Sequence, residues 1–246
     1  MSLNKKVVLI TGASRGIGRS VAEDLANQGC YIVINYLNNK EKATYLKDLI
    51  KKKYNTKAIT IQADVSIEQE VKRLVKQILQ QFSTIDILVN NAAIVIDKPF
   101  FKRNVVDFDK TIDTNLKGPF LLCKYIAPIM LKNKGGKIIN IASTNGINTF
   151  DPNSIDYDAS KAGIISLTHN LAIELAPYVN VNAVAPGWIN TDMNKNISEN
   201  LLLQEKEKIY LKRFGEPIEV AKLVSFLASD DANYINGEII KIDGGI

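Results

Sequence analysis

The stretch KVVLITGASRGIGRSVAEDLANQG limits the possible folds more than any other part of the chain. An apolar run at residues 6–10 leads into a turn that contains Gly12, Gly16 and Gly18, and a helical pattern follows directly. Glycines in such a turn permit a tight exit from the strand, close approach of the backbone to a ligand, and close helix–strand packing. The helix N-terminus presents unpaired N–H groups that bind anions. The stretch therefore predicts a strand–turn–helix unit that holds the pyrophosphate of a dinucleotide.

Short apolar runs alternate with longer helical patterns along the rest of the chain. Most runs are nearly continuous in Val, Ile and Leu, which is typical of parallel strands buried on both faces. We predict seven strands, at residues 6–10, 31–35, 57–62, 86–90, 137–142, 181–185 and 238–242. With no repeat and no Pro/Gly/Ser linker, residues 1–246 are predicted to form one α/β domain. Its expected architecture is a Rossmann-like doubly wound parallel sheet with helices on both faces.

Two helical patterns carry recognisable start signals. The pattern at residues 66–82 has Ser66 as its expected N-cap, with Gln69 three residues later. Its apolar stripe consists of Val71, Leu74, Val75 and Ile78. A second helix is predicted to begin at Pro217, since proline suits the first turn of a helix.

Composition argues against several functional classes. The net charge of +5 is mild and the lysines are spread along the chain, so no nucleic-acid surface is expected. No apolar run approaches the ~20 residues of a membrane span, and no signal-type leader is recognised. Cys30 and Cys123 lie in apolar settings and are interpreted as buried free thiols of a cytoplasmic protein. No Cys/His cluster has metal-ligand spacing, so no metal is expected, and His169 is interpreted as structural or exposed.

The residues after the second predicted strand bear on the choice of cofactor. An NAD site usually has an acidic residue about 20 positions after the glycine turn, where it binds the ribose 2′-hydroxyl. Here Asn35 and Tyr36 occupy that place, and Arg15 lies within the glycine turn. A missing carboxylate removes repulsion of a 2′-phosphate, and an arginine binds phosphate with two hydrogen bonds. This favours NADPH over NADH; alternatively, Arg15 is a solvent-exposed turn residue and the cofactor is NADH.

The segment IDYDASKAGI places Tyr157 and Lys161 four residues apart, on one face of a predicted helix. A free tyrosine has a pKa near ~10, too high for efficient proton exchange at neutral pH. A neighbouring cation stabilises the phenolate and lowers the pKa, which suits general acid–base catalysis. A lone pair of this kind is more often an ordinary surface pair, so the interpretation depends on the rest of the chain.

Six motifs together resemble the short-chain dehydrogenase/reductase family over essentially the whole chain. In order, they are TGASRGIG, NNAA (90–93), TNLKG (114–118), IAS (141–143), YDASK (157–161) and APGWINTDM (185–193). The resemblance implies that Tyr157 is the proton donor in carbonyl reduction and that Lys161 lowers its pKa and binds the nicotinamide ribose. It implies that Ser143 holds the substrate carbonyl oxygen and that Asn115 binds a water linking Lys161 to solvent.

The resemblance also implies a set of cofactor contacts. Asp64 and Val65 are expected at the adenine, Asn91 and Ala92 along the groove, and the APGWINTDM motif around the nicotinamide. The full set of expected cofactor-binding residues is Gly12, Ser14, Arg15, Gly16, Ile17, Gly18, Asn35, Asp64, Val65, Asn91, Ala92, Pro186, Gly187, Ile189 and Thr191. Ala93 departs from the family pattern, which usually has glycine there.

Within the family, the chain looks most similar to beta-ketoacyl-acyl-carrier-protein reductases. This implies NADPH-dependent reduction of a 3-oxoacyl thioester, with an acidic carrier protein as a possible partner that a basic surface would steer. Lys132, Lys134 and Lys137 are candidates for that surface. The loop at 144–156 is unlike that of fatty-acid reductases, so a sugar, polyol or other small alcohol stays open as the substrate. A non-catalytic dinucleotide sensor is a third possibility.

Two further expectations concern a substrate lid and the assembly of subunits. Residues 193–214 are predicted to form a substrate lid, with an ordinary amphipathic helix as the alternative. The resemblance implies a homotetramer, in which the helix of residues 105–132 and the Tyr157 helix form one interface and the C-terminal strand another.

Overall fold

A computed structural model describes residues 3–192 and 197–245. Within them the strands are β1 (Val7–Ile10), β2 (Tyr31–Tyr36), β3 (Ala58–Gln62), β4 (Ile87–Asn90), β5 (Gly136–Ile141), β6 (Val179–Pro186) and β7 (Ile239–Ile242). The α-helices are α1 (Gly16–Asn27), α2 (Lys40–Tyr54), α3 (Glu68–Phe82), α4 (Val105–Ile112), α5 (Gly118–Lys132), α6 (Ile155–Glu174), α7 (Glu199–Lys208) and α8 (Pro217–Ala228). All seven predicted strands are confirmed, with ends that differ by at most two residues.

The strands form one parallel sheet in the order β3-β2-β1-β4-β5-β6-β7. Leu9 of β1 lies opposite Val33 of β2 on one side and Leu88 of β4 on the other. The strand order reverses between β1 and β4, so their carboxyl ends form the switch point where ligands of open α/β sheets bind.

Two apolar layers cover the two faces of the sheet. Along β1, Val7 and Leu9 belong to one buried cluster, whereas Val8 and Ile10 belong to the other. Successive strand side chains point to opposite faces, so an uninterrupted apolar strand feeds both layers. This arrangement explains why the strand sequences do not alternate between apolar and polar residues.

The start of α3 differs from its prediction. Its N-cap is Ile67, and the predicted N-cap Ser66 is wrong. Asp64 Oδ1 accepts hydrogen bonds from the backbone N–H of Ser66 at 2.9 Å and from its hydroxyl at 2.6 Å, so the Ser66 hydroxyl is held in the preceding turn. The predicted apolar stripe of α3 is confirmed as buried. The start of α8 at Pro217 is also confirmed, and Glu216 and Glu219 form a capping box there.

The segment 105–132 is not one regular helix. The π-helical segment Asp113–Lys117 separates α4 from α5 and contains Asn115. Insertions of π-helix inside α-helices are rare and are frequently found at functional sites.

Several smaller predictions can also be compared with the structure. Cys30 and Cys123 are free and buried, as expected, and His169 is exposed on α6. Part of the predicted lid, residues 193–196, lies outside the described residues, and the remainder contains α7. No helix in the described parts of the chain combines the length and apolar character needed to cross a bilayer.

Candidate active site

The glycine turn between β1 and α1 forms a cradle that side chains would fill. Gly12 has φ +61°, and a Cβ atom there would lie 3.0 Å from Ala92 Cα. A Cβ on Gly18 would lie 2.5 Å from Asn91 Nδ2. The N-cap of α1 is Arg15, whose side chain makes no capping hydrogen bond, so the first turn of α1 presents its N–H groups. This shape and polarity fit a dinucleotide pyrophosphate.

Hydrogen bonds from the segment after β4 hold the glycine turn in place. Thr11 Oγ1 accepts hydrogen bonds from the backbone N–H groups of Asn91 at 2.9 Å and Ala92 at 3.0 Å. Asn91 Nδ2 donates to the Thr11 carbonyl at 2.8 Å. Sequence reasoning missed Thr11; its only signal is its place immediately before Gly12.

Asn35 lies beneath the glycine turn rather than in the open groove. Its side chain is buried; Oδ1 accepts from Gly12 N at 3.3 Å, and Nδ2 donates to the Ala63 carbonyl at 3.0 Å. It therefore supports the cradle from below. Val65 is likewise buried, and a Cβ on Gly118 would lie 2.9 Å from its Cγ2, so Val65 packs at the start of α5.

An open cleft of about 870 Å³ extends from the glycine turn to the segment after β6. Its basic side chains include Arg15, Arg19 and Lys42. Lys42 Nζ lies 3.6 Å from a carboxylate oxygen of Asp192, and Arg19 Nε donates to Glu23 at 2.8 Å. Arg15 and Lys42 are exposed, and of these three cations Arg15 is the one within the glycine turn.

The expected nicotinamide end lies after β6. Gly187 N donates to the Ile242 carbonyl at 3.0 Å, and a Cβ on Gly187 would lie 2.8 Å from Asp243 Cβ. Ile189 is buried and forms an isolated bridge with Gly215. The APGWINTDM motif thus continues from the carboxyl edge of the sheet, where Thr191 and Ser14 both line the cleft.

Three of the four predicted catalytic side chains meet at this edge. Lys161 is 3% exposed; its Nζ donates to the Ile141 carbonyl at 2.7 Å and lies 5.4 Å from the centre of the Tyr157 ring. Ser143 lies two residues after the end of β5, close enough for its hydroxyl to lower the pKa of Tyr157 as a hydrogen-bond donor. The four-residue spacing on α6 therefore places the cation beside the phenol, and the segment after β5 adds the alcohol.

Burial is the largest influence on the pKa values of Lys161 and Tyr157. It lowers the pKa of Lys161 to about 8. It raises the pKa of Tyr157 to about 12, opposed by the Ser143 hydrogen bond and reinforced by the charge of Asp158. The expected lowering of the Tyr157 pKa by Lys161 is absent in the protein alone, because desolvation of the phenolate outweighs the other influences. Tyr157 is consequently a protonated phenol at neutral pH.

Asn115, the fourth predicted catalytic residue, is buried and connects three parts of the site. Its Oδ1 accepts from Ile94 N at 2.9 Å, and its Nδ2 donates to the Ile94 carbonyl at 2.8 Å and to Ser160 Oγ at 3.2 Å. The amide thus joins the loop after β4 to α6, the helix that carries Tyr157.

A buried ion pair, which sequence reasoning missed, ties together the two loops that border the site. Arg103 Nη1 lies 2.7 Å from Asp156 Oδ2, and the two side chains are 5% and 0% exposed. Arg103 Nη2 also donates to the carbonyls of Ile96 at 2.7 Å and Lys98 at 3.2 Å, and to that of Asn153. We call this arrangement the Arg103 clasp. Its only sequence signal is an arginine next to a lysine in the loop before α4.

The three lysines predicted to steer a carrier protein lie elsewhere. Lys132 ends α5 and Lys134 follows it, so both precede β5 and lie at the amino edge of the sheet. Lys137 Nζ donates to the side chains of Asn180 at 3.0 Å and Asn233 at 2.7 Å. The site is at the opposite, carboxyl edge, so these lysines do not border it. Within the described residues, no group of three His, Cys, Asp or Glu side chains is arranged to hold a metal ion.

An enzyme that moves hydride between a nicotinamide cofactor and a CH–OH carbon must bring that cofactor and a proton donor to one place. The cradle and Tyr157 lie at the same edge of the sheet, and the chain is an NAD(P)-dependent oxidoreductase. It belongs to the short-chain dehydrogenase/reductase family. The family described as Enoyl-(Acyl carrier protein) reductase matches residues 12–246.

Similar proteins extend over the whole chain. A 3-oxoacyl-acyl-carrier-protein reductase of Staphylococcus epidermidis is 45% identical over 242 residues, covering 98% of each chain. One of Aquifex aeolicus is 41% identical over 247 residues, covering 100% of this chain and 99% of the relative. The crystal structure of a putative gluconate dehydrogenase from Agrobacterium tumefaciens has a TM-score of 0.94 at 33% identity, covering 99% and 96% of the two chains. The predicted family, fold and enzyme class are confirmed.

Proposed function

We propose that the protein reduces a 3-oxoacyl thioester to the 3-hydroxyacyl form with NADPH, and that Tyr157 donates the proton. The observation that carries this proposal is the identity of 41% and 45% to 3-oxoacyl-acyl-carrier-protein reductases over essentially the whole chain. The hydroxyls of Ser143 and Tyr157 supply the matching chemistry, because two adjacent donors suit a carbonyl oxygen that gains negative charge.

The side chains divide the work of carbonyl reduction. NADPH, when bound, supplies the hydride to the carbonyl carbon. The carbonyl π electrons move to oxygen, and Ser143 and Tyr157 donate hydrogen bonds to that oxygen. Tyr157 then transfers its proton and becomes a phenolate, which the positive charge of Lys161 stabilises. The raised pKa of Tyr157 keeps the proton in place until the oxygen becomes basic.

The choice of NADPH rests on Arg15. We expect Arg15→Ala to raise KM for NADPH roughly 10- to 100-fold, since a hydrogen bond to a charged group contributes about 1.5–3 kcal/mol. KM for NADH should stay nearly unchanged, because NADH has no 2′-phosphate. Initial rates with each cofactor measure both effects. Lys51→Ala removes a cation at the exposed end of α2 and serves as the control. A wild-type protein that prefers NADH would overturn the assignment.

A pH profile tests the role of Lys161. Burial lowers the pKa of Lys161 to about 8, so its positive charge is lost as the pH rises through that value. We expect kcat/KM for NADPH, which reports groups of the free enzyme, to fall about tenfold per pH unit above this point. In Lys161→Arg, the side chain stays charged, so the remaining activity should show no such fall. A wild-type profile that stays level above pH 8 contradicts the role.

A second candidate function is oxidation of a sugar or polyol. It is favoured by the likeness to the putative gluconate dehydrogenase and by the polar residues of the loop 144–156. Rates with acetoacetyl-coenzyme A, crotonyl-coenzyme A and a panel of sugars and polyols separate the candidates. Fast reduction of acetoacetyl-coenzyme A supports the first proposal. Sugar oxidation without thioester reduction overturns it, and reduction of crotonyl-coenzyme A alone indicates an enoyl substrate.

We also propose a carrier-protein-bound or small-molecule acyl substrate, action in the cytoplasm and a homotetramer. The free, buried cysteines are consistent with a reducing compartment. Exposed apolar side chains support assembly: Val105 and Val106 of α4 are 72% and 73% exposed, and Tyr234, near the C-terminal strand, is fully exposed. Light scattering of the intact protein measures the assembly.

We also propose that residues 193–214 form the substrate lid, within which Ser198 caps α7.

A further inference from the structure

A hydrogen-bonded chain connects Ser143 to a carboxylate that the mechanism above does not use. Ser143 Oγ accepts from Asn145 N at 3.2 Å and lies 3.3 Å from Asn145 Oδ1, to which its hydroxyl donates. Asn145 Nδ2 in turn donates to Asp158 Oδ1 at 2.8 Å. The contacts at Ser143 are long, whereas the contact at Asp158 is of ordinary length.

Asp158 is bound at both of its oxygens. Its Oδ2 accepts from the backbone N–H of Asp151 at 2.9 Å, while Oδ1 holds Asn145. Asp158 follows Tyr157 directly on α6, and Asn145 and Asp151 belong to the loop between β5 and α6. The carboxylate therefore fixes this loop to the helix turn that carries the proton donor.

This geometry determines the resting position of the Ser143 hydroxyl. A serine hydroxyl rotates freely unless a partner holds it, and Asn145 offers it both a donor and an acceptor. The amide oxygen is neutral and 3.3 Å away, so it is a weak acceptor. The substrate carbonyl oxygen becomes a stronger acceptor as it gains negative charge. It then takes the hydrogen bond of the Ser143 hydroxyl from the Asn145 amide oxygen. The interaction with substrate then strengthens in the transition state, which is the condition for raising kcat.

We propose that Asn145 is a positioning residue for carbonyl reduction, which holds the Ser143 hydroxyl ready for the substrate oxygen and is itself held by Asp158. This inference rests on the proposed reduction, since it concerns the same carbonyl oxygen. It assigns a function to Asn145 in the loop 144–156 and to Asp158 on α6.

The charge of Asp158 has a second effect that a purely structural contact would lack. It helps to raise the pKa of Tyr157, after the larger effect of burial. The other charged groups at this place are Lys161 and Asp156 on α6, Asp151 on the loop, and Arg103, which pairs with Asp156. Asp158→Asn is therefore expected to lower the pKa of Tyr157 and to move the pH profile of the reverse, oxidative reaction towards lower pH.

Steady-state rates of Asn145→Ala, Asp158→Ala and the double variant test the proposal. We expect Asn145→Ala to lower kcat about tenfold, part of the roughly 10²–10³-fold loss when an oxyanion donor is removed. KM for NADPH and the melting temperature should stay unchanged. The double variant should lose little more than Asn145→Ala alone, because residues that act as a unit are not additive. Asn148→Ala, in the same loop and exposed, is the matched control.

Each outcome distinguishes this inference from the proposed function. If the wild type reduces no thioester, the proposed function fails, and the same variants are then compared on whichever alcohol or carbonyl is turned over. If the wild type is active and Asn145→Ala matches Asn148→Ala in kcat, the positioning role is overturned. A kcat loss that only follows a lowered melting temperature also overturns it, and additive losses overturn the statement that Asp158 holds Asn145 for this role. An unmoved oxidative pH profile in Asp158→Asn overturns the part assigned to Asp158.

Discussion

Tyr157→Phe is expected to lower kcat by roughly 10²–10⁴-fold, the range that general acid catalysis contributes. The variant keeps the aromatic ring and loses only the hydroxyl, whose pKa the neighbouring Ser143 lowers. Cofactor affinity should stay the same, because the cradle at Gly12 lies on another part of the site. Turnover is measured at saturating substrate, and cofactor binding by titration of nicotinamide fluorescence.

Tyr178→Phe is the matched control for this variant. Tyr178 lies just after α6 and is 43% exposed, away from the reacting groups, so its hydroxyl should be dispensable. A Tyr157→Phe enzyme with nearly full turnover would refute the proton-donor assignment. A loss of cofactor affinity equal to the loss of turnover would instead assign the hydroxyl to binding.

Arg103→Ala is expected to lower the free energy of unfolding by roughly 3–5 kcal/mol, because it leaves Asp156 as a buried, unpaired charge. The guanidinium also satisfies the carbonyls of Ile96, Lys98 and Asn153, which lose their partner. Denaturant unfolding at fixed protein concentration measures the change.

Two comparisons make the expected result for Arg103 specific. Lys102→Ala removes the neighbouring exposed cation and should change stability by less than about 0.5 kcal/mol. Arg103→Met combined with Asp156→Leu should recover much of the loss, since an apolar pair leaves no buried charge unpaired. If Arg103→Ala unfolds at the wild-type denaturant concentration, the clasp does not stabilise the fold.

The strands and the glycine turn were predictable, because each depends on a short-range sequence pattern. Continuous Val/Ile/Leu runs predicted all seven strands, and the glycine turn predicted how β1 enters α1. The pairing of Tyr157 with Lys161 was predictable for the same reason, since four residues along a helix bring two side chains to one face.

What escaped prediction depends on contacts between distant segments or on competition for one group. Arg103 meets Asp156 across 53 positions of sequence, and neither residue is unusual in its own surroundings. Serine is a residue type that favours the N-cap position, but the Ser66 hydroxyl instead donates its hydrogen bond to Asp64 in the preceding turn. The raised pKa of Tyr157 depends on how deeply the phenol is buried, which spacing along a helix does not reveal.

The Arg103 clasp has a consequence for how this scaffold can change. Apart from Asp156, its partners are main-chain carbonyls, and a carbonyl is the same whichever side chain the residue carries. The loop path is therefore maintained independently of the side chains at positions such as 147–150, which face solvent or are partly exposed. Selection, or an engineer, is able to exchange those side chains for a new substrate while the proton donor stays in place.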